Sequence, residues 1–94
     1  TSASLLVQEN ASPDVQSDLL SFLAKVAPRS SYYQHSDEGP DDMPAHIKTA
    51  ITNTHYTLSI RDFKLVLGTW QGIFLCEFRQ SSQQRKIHCH LLGE

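Results

Sequence analysis

Five histidines, His35, His46, His55, His88 and His90, are the side chains of this 94-residue sequence best suited to hold a metal or move a proton. Two fall in one dense polar segment, His35-Ser36-Asp37-Glu38-Gly39-Pro40-Asp41-Asp42-Met43-Pro44-Ala45-His46-Ile47-Lys48. His35 is placed on a loop and His46 in the first turns of the next helix, so a loop that folds back brings the two imidazoles together. Their spacing is neither that of HExxH nor that of a zinc finger. The clustered acids offer further ligands, or acceptors that orient an imidazole. A catalytic metal centre usually takes three protein ligands and one open position, and this segment supplies two histidines with optional carboxylates. The same residues also fit a solvated loop whose acids face water and whose histidines bond locally.

Other groups carry weaker chemical signals. Lys48 follows His46 by two residues, so on a helix the two point about 200° apart. Gly68-Thr69-Trp70-Gln71-Gly72 combines turn-forming glycines, hydrogen-bonding side chains and a large aromatic wall. It lacks both the P-loop spacing and the dinucleotide glycine pattern, and a lone tryptophan is more often core than pocket. Glu9-Asn10 ends the first apolar run, where polar residues either face a cavity or feed a helix cap. His88 and His90 share one face of an expected strand, with Cys89 on the other, which separates the thiol from any joint ligand set. No Gly-x-Ser-x-Gly elbow is present.

The elements that must position these groups follow from apolar spacing. Residues 4–7 form a short strand. Ser12, Pro13 and Asp14 start a helix over 13–27: a cap for orphan amides, a ring that presets its own φ, and an acid at the positive helix end. Val15, Leu19, Phe22, Leu23 and Val26 recur at helical spacing, and Pro28 stops the run. Residues 29–42 form a long loop. Asp42 caps a second helix near 43–53. The remainder reads as strands: 56–60, a short one at Leu65 and Leu67, a central one at 73–78 and a last one at 86–92. Two helices followed by sequential strands give an α+β fold with mostly antiparallel pairing.

Composition narrows the function classes. The chain is 39% hydrophobic and 19% charged, which is globular, and its length suits a single domain over 1–94 with a thin core. Eight basic residues against ten acidic ones are scattered apart from Arg85-Lys86, so there is no basic stripe for nucleic acid. No apolar run is long enough to span a membrane. Cys76 and Cys89 are too few for a disulfide framework, read as small buried thiols, and suit a reducing cytoplasm.

Taken together, Thr1-Ser2-Ala3, Glu9-Asn10 with Pro13-Asp14-Val15, the Tyr33 to Lys48 segment, Leu67-Gly68-Thr69-Trp70-Gln71-Gly72-Ile73, Cys76-Glu77-Phe78 and Gly93-Glu94 resemble the YjbQ-like family, often described as secondary thiamine-phosphate synthase enzymes. The resemblance covers nearly the whole chain. It implies a longer domain whose leading strands precede Thr1, with a histidine just before Thr1 as a third metal ligand. It implies His35 and His46 as ligands of a divalent metal, zinc fitting the donor set, and Glu38 as the acid or base. Glu9, Asn10, Lys48, Thr69, Trp70 and Gln71 become substrate-binding residues. Met43 stands where relatives often place Asn. The implied activity joins a pyrimidine pyrophosphate to a thiazole phosphate. A metal-dependent phosphate-ester hydrolase and a non-catalytic metal or small-anion binding protein are the alternatives. A phosphorylated small molecule as ligand, a homo-oligomer with a trimer first, and a cytoplasmic location complete the expectations.

Overall fold

A computed structural model describes residues 1–94. Two long strands, β1 (Ala3–Glu9) and β4 (Gln71–Glu77), pair antiparallel from Ala3↔Glu77 to Glu9↔Gln71. Between them in the chain lie α1 (Pro13–Val26), α2 (Asp42–Ile51) and a small hairpin, β2 (Ile60–Arg61) with β3 (Lys64–Leu65). The expected α+β class and antiparallel pairing are therefore present.

Several local expectations need correction. Ser12 occupies the N-cap of α1 in extended backbone, but its side chain makes no capping bond. Asp41, not Asp42, is the N-cap of α2, and Asp42 turns into the first helical turn. Residues 56–59 and 86–92 are not strands. Isolated apolar alternation cannot hold a strand without a neighbour to share its hydrogen bonds. Tyr56 instead uses its hydroxyl to accept the Val7 N–H at 3.2 Å and the Asn53 side-chain amide at 2.8 Å, pinning this stretch to β1. The β4 strand, expected to be central, pairs only with β1. The hairpin turns on Asp62 and Phe63, both at positive φ (51° and 63°), the backbone of a two-residue I′ turn.

Burial is sparse. Seven of the 94 residues are buried, among them Ala27, Ala45, Phe78, Ser4, Asp42 and Thr49; Ala27 and Phe78 line a cleft beside Pro44 and Lys48 of α2. Thr52 donates to Ser4 Oγ at 2.7 Å, and the Leu5 N–H donates to Asn53 O at 2.7 Å, so the C-terminal end of α2 is stitched to the strand. The α1 helix has no buried residue. Leu19 and Leu23 line a groove of about 280 Å³ over Leu6 and Phe74 of the sheet, while Phe22 and Val26, expected on the same inner face, are exposed. The radius of gyration is 15.6 Å, above the roughly 12 Å of a sphere-like domain of this length, so the chain is drawn out.

Gly72 is the one glycine of the ladder where space decides. A Cβ there would stand 2.9 Å from Asn10 Cβ. Gly72→Ala is expected to destabilise by about 1–3 kcal/mol as strand and turn are forced apart, read as a lower urea midpoint with an unchanged slope. An unaltered midpoint would show that Asn10 gives way freely.

Candidate metal centre

The long loop and the start of α2 fold back on each other and bring His35 and His46 together. The imidazole centroids lie 5.2 Å apart at 73°. Between them stands Asp42, whose side chain is 3% exposed. Its Oδ2 accepts from His35 Nε2 at 2.6 Å and from His46 Nε2 at 3.2 Å. The helix explains the second bond, since residues 42 and 46 are one turn apart on one face. The loop explains the first, because Gly39 at φ 106° reverses the chain and the Gly39 N–H bonds back to Ser36 O at 3.4 Å. Glu38 points its carboxylate at His35 Nε2 from 3.9 Å and is otherwise open to water.

Asp42 has a further partner from the far end of the chain. Arg79, just past β4, donates through Nη1 to Asp42 Oδ1 at 2.9 Å, through Nε to Asp41 Oδ2 at 3.1 Å and through Nη2 to Glu38 O at 2.9 Å. The hydrogen bond from His35 is the main cause holding the Asp42 carboxyl below its ordinary pKa, with Glu38, His46 and Arg79 adding to it and burial opposing it. The Gln80 N–H and then Arg79 hold Asp41 low in the same way, and Asp41 in turn raises Arg79. Burial pushes the Cys76 thiol up, whereas Cys89, expected to be buried, is exposed.

One oxygen serving two imidazole N–H groups is an arrangement that a cation can replace. The ligand atoms of His35, Asp42 and His46 all lie within 4.8 Å of one another. Tetrahedral zinc, with bonds of about 2.0–2.1 Å, keeps its ligand atoms about 3.3 Å apart. The donor set therefore fits a first-row divalent ion after small side-chain shifts. Asp42, expected both as a helix cap and among the clustered acids near the histidines, is the acid that meets both imidazoles. Its spacing to His46, D-x-x-x-H on an expected helix, was the available signal.

The remaining expected site residues lie elsewhere. Glu9, Asn10, Thr69, Trp70 and Gln71 form one cluster: Glu9 pairs with Gln71, and the Asn10 N–H donates to Trp70 O at 2.7 Å. Gln71 Oε1 closes the turn by accepting the Gly68 N–H at 2.6 Å. Trp70 is exposed, not core. This cluster caps the Glu9–Gln71 end of the ladder, whereas Phe78 and Arg79 leave from the Ala3–Glu77 end, about 20 Å away along six strand residues. Lys48 faces away from His46, with Nζ 5.8 Å from the Phe78 ring centroid, and lines a cleft of about 210 Å³ with Arg29, Asp41 and Gln80. His88 and His90 sit on an irregular segment, so the strand-face pairing expected of them does not form.

Residues 1–94 match the family model described as UPF0047 protein YjbQ-like. The chain belongs to the UPF0047 family. It is 53% identical to the UPF0047 protein sll1880 of Synechocystis over 95 residues, covering all of this chain and 65% of that protein. It is 45% identical to YjbQ of Salmonella typhimurium, covering 68% of that protein. A crystal structure of an uncharacterised YjbQ/UPF0047 protein from Clostridium acetobutylicum superposes with a TM-score of 0.74 at 43% identity, over 82% of this chain and 57% of that one. The conserved hypothetical protein TT1486 of Thermus thermophilus gives 0.74 at 42% identity, over 83% and 60%. The chain thus spans about two thirds of its curated UPF0047 relatives and less of the crystallised ones.

These findings correct the expected activity. The UPF0047 family and these relatives carry no thiamine-phosphate synthase or transferase name, and the Clostridium structure is described as uncharacterised. Neither thiamine-phosphate synthesis nor metal-dependent phosphate-ester hydrolysis is supported. Within this chain the Thr69–Gln71 cluster caps one end of the ladder, while Arg79, which bonds Asp42 of the histidine pair, leaves from the other. No helix is long and apolar enough to cross a membrane.

Proposed function

We propose that this UPF0047 chain binds a divalent transition-metal ion at His35, Asp42 and His46. The convergence of both imidazole Nε2 atoms on one buried carboxylate oxygen carries this reading. Charge supports it: Asp42 accepts from both imidazoles and Glu38 faces His35, while Arg79, the guanidinium on Asp42, is itself paired with Asp41, so the site favours a cation over an anion. Zinc and cobalt suit the two-nitrogen, one-oxygen set.

Isothermal titration of the chelator-stripped chain with zinc tests it. One zinc per chain is expected, with affinity reduced at least 100-fold in His46→Ala and in His35→Ala, because each removes a ligand. Wild-type zinc affinity in both variants would overturn the assignment.

Arg29 and Lys48 in the Phe78 cleft favour a second reading, capture of a phosphorylated small molecule away from the metal. Exposed Phe22, Ile73 and Leu75 favour association with further polypeptide, and a homo-oligomer such as a trimer is one closed assembly that would cover them. Two free cysteines suit a cytoplasmic location.

A further inference from the structure

We propose that Arg79 is a positioning residue that makes Asp42 a one-oxygen ligand and so selects transition ions of low coordination number over calcium. The inference rests on the metal-binding reading above and adds what decides which ion is held.

The two oxygens of Asp42 have separate partners. Oδ2 faces His35 and His46, and Oδ1 is taken by Arg79 Nη1 at 2.9 Å. The guanidinium is itself fixed at two more points, Asp41 Oδ2 and Glu38 O. The Gln80 N–H donates to the same Asp41 oxygen at 2.8 Å, which stops that carboxylate from swinging away. Arg79 is only 16% exposed, so water does not compete freely for these bonds. A planar fork anchored at three acceptors keeps the Asp42 carboxylate from turning both oxygens toward one ion.

Ion preference follows from that restriction. Calcium takes six to eight oxygens and commonly a bidentate carboxylate. A site offering one oxygen and two imidazole nitrogens meets zinc or cobalt far better. A lysine ammonium, a point donor, cannot hold Asp41 and Asp42 together as the guanidinium does.

The test uses the full chain, stripped of metal and titrated with zinc, cobalt and calcium, with the visible spectrum of the cobalt form recorded. Wild type is expected to bind zinc and cobalt and to give the intense cobalt band of a low-coordinate site. In R79M zinc affinity is expected to fall about 10- to 100-fold, the cobalt band to weaken as Asp42 chelates through both oxygens, and the preference for zinc over calcium to narrow. R79K is expected to follow R79M, and it carries the comparison if circular dichroism shows R79M unfolded. R85M, which breaks the Glu77 pair (2.6 Å) away from Asp42, is expected to leave the zinc affinity and the cobalt band unchanged. Wild-type zinc affinity and an unchanged cobalt band in a folded R79M or R79K would overturn the role of Arg79 while leaving the metal site standing. A wild-type chain that takes up neither zinc nor cobalt would overturn the metal site itself.

Discussion

Asp42→Ala is expected to abolish zinc binding and to lower the Tm of the metal-free chain by about 10 °C. The second effect follows from burial and partners. Asp42 is 2% exposed and accepts from His35, His46 and Arg79 at once. Removing it leaves three donors without that acceptor, Arg79 largely shielded from water and the two imidazoles partly exposed, and the shielded donor costs more than its bond contributes. Asp42→Asn separates the two effects. The amide keeps the shape and one acceptor oxygen, so a smaller fall in Tm is expected, but it offers no charged ligand, so zinc affinity should still drop at least 100-fold. Thermal melts followed by circular dichroism and zinc titration of both variants check this. An Asp42→Asn chain that binds zinc like wild type would remove the carboxylate from the ligand set.

Acid should undo the fold through its ion pairs. Arg85 holds the Glu77 carboxyl below its ordinary pKa, donating to it at 2.6 and 2.7 Å, and the Gln80 N–H with Arg79 does the same for Asp41. In the unfolded chain these groups titrate near about 4.3 and 3.9. The unfolded state therefore binds more protons than the folded one in the window below those values, and lowering the pH favours unfolding there. The stabilisation is fully present above about pH 5 and is lost progressively as pH falls through about 4 and below. The urea midpoint of metal-free protein is expected to fall steadily across that window, and less steeply in R85M, where Glu77 has lost its partner. A midpoint flat from pH 5 to about pH 3 would contradict the ion-pair account.

What the sequence made legible is uneven for physical reasons. The α1 helix was readable because Pro13, Asp14 and a 3.6-residue apolar period all sit within its own fourteen residues. The meeting of His35 and His46 was readable as a possibility, since both border one loop. Asp42 was in view as one of four clustered acids and as a cap, because a carboxylate just before an apolar-periodic run normally accepts amide protons there, and apart from its spacing to His46 nothing local singled it out from Asp37, Glu38 and Asp41. Arg79 was hidden. It lies 37 residues from Asp42, and no local pattern reports a bond that exists only once β4 has paired with β1. The strand expected at 56–60, of which only Ile60 is in a strand, and the one expected at 86–92 failed for the complementary reason. Alternation states which face a strand would bury, but it does not supply the neighbour that would complete its hydrogen bonds.

Gly72 has a consequence that reaches past its own turn. The space beside Asn10 admits no Cβ without a shift, so sliding β4 by one position would drive Gln71 or Ile73 into Asn10. Gly72 thus acts as an indexing notch that lets the two strands mate in one alignment. Arg79 lies seven residues further along the same chain. Its delivery to Asp42 is metered from a notch at the opposite tip of the ribbon.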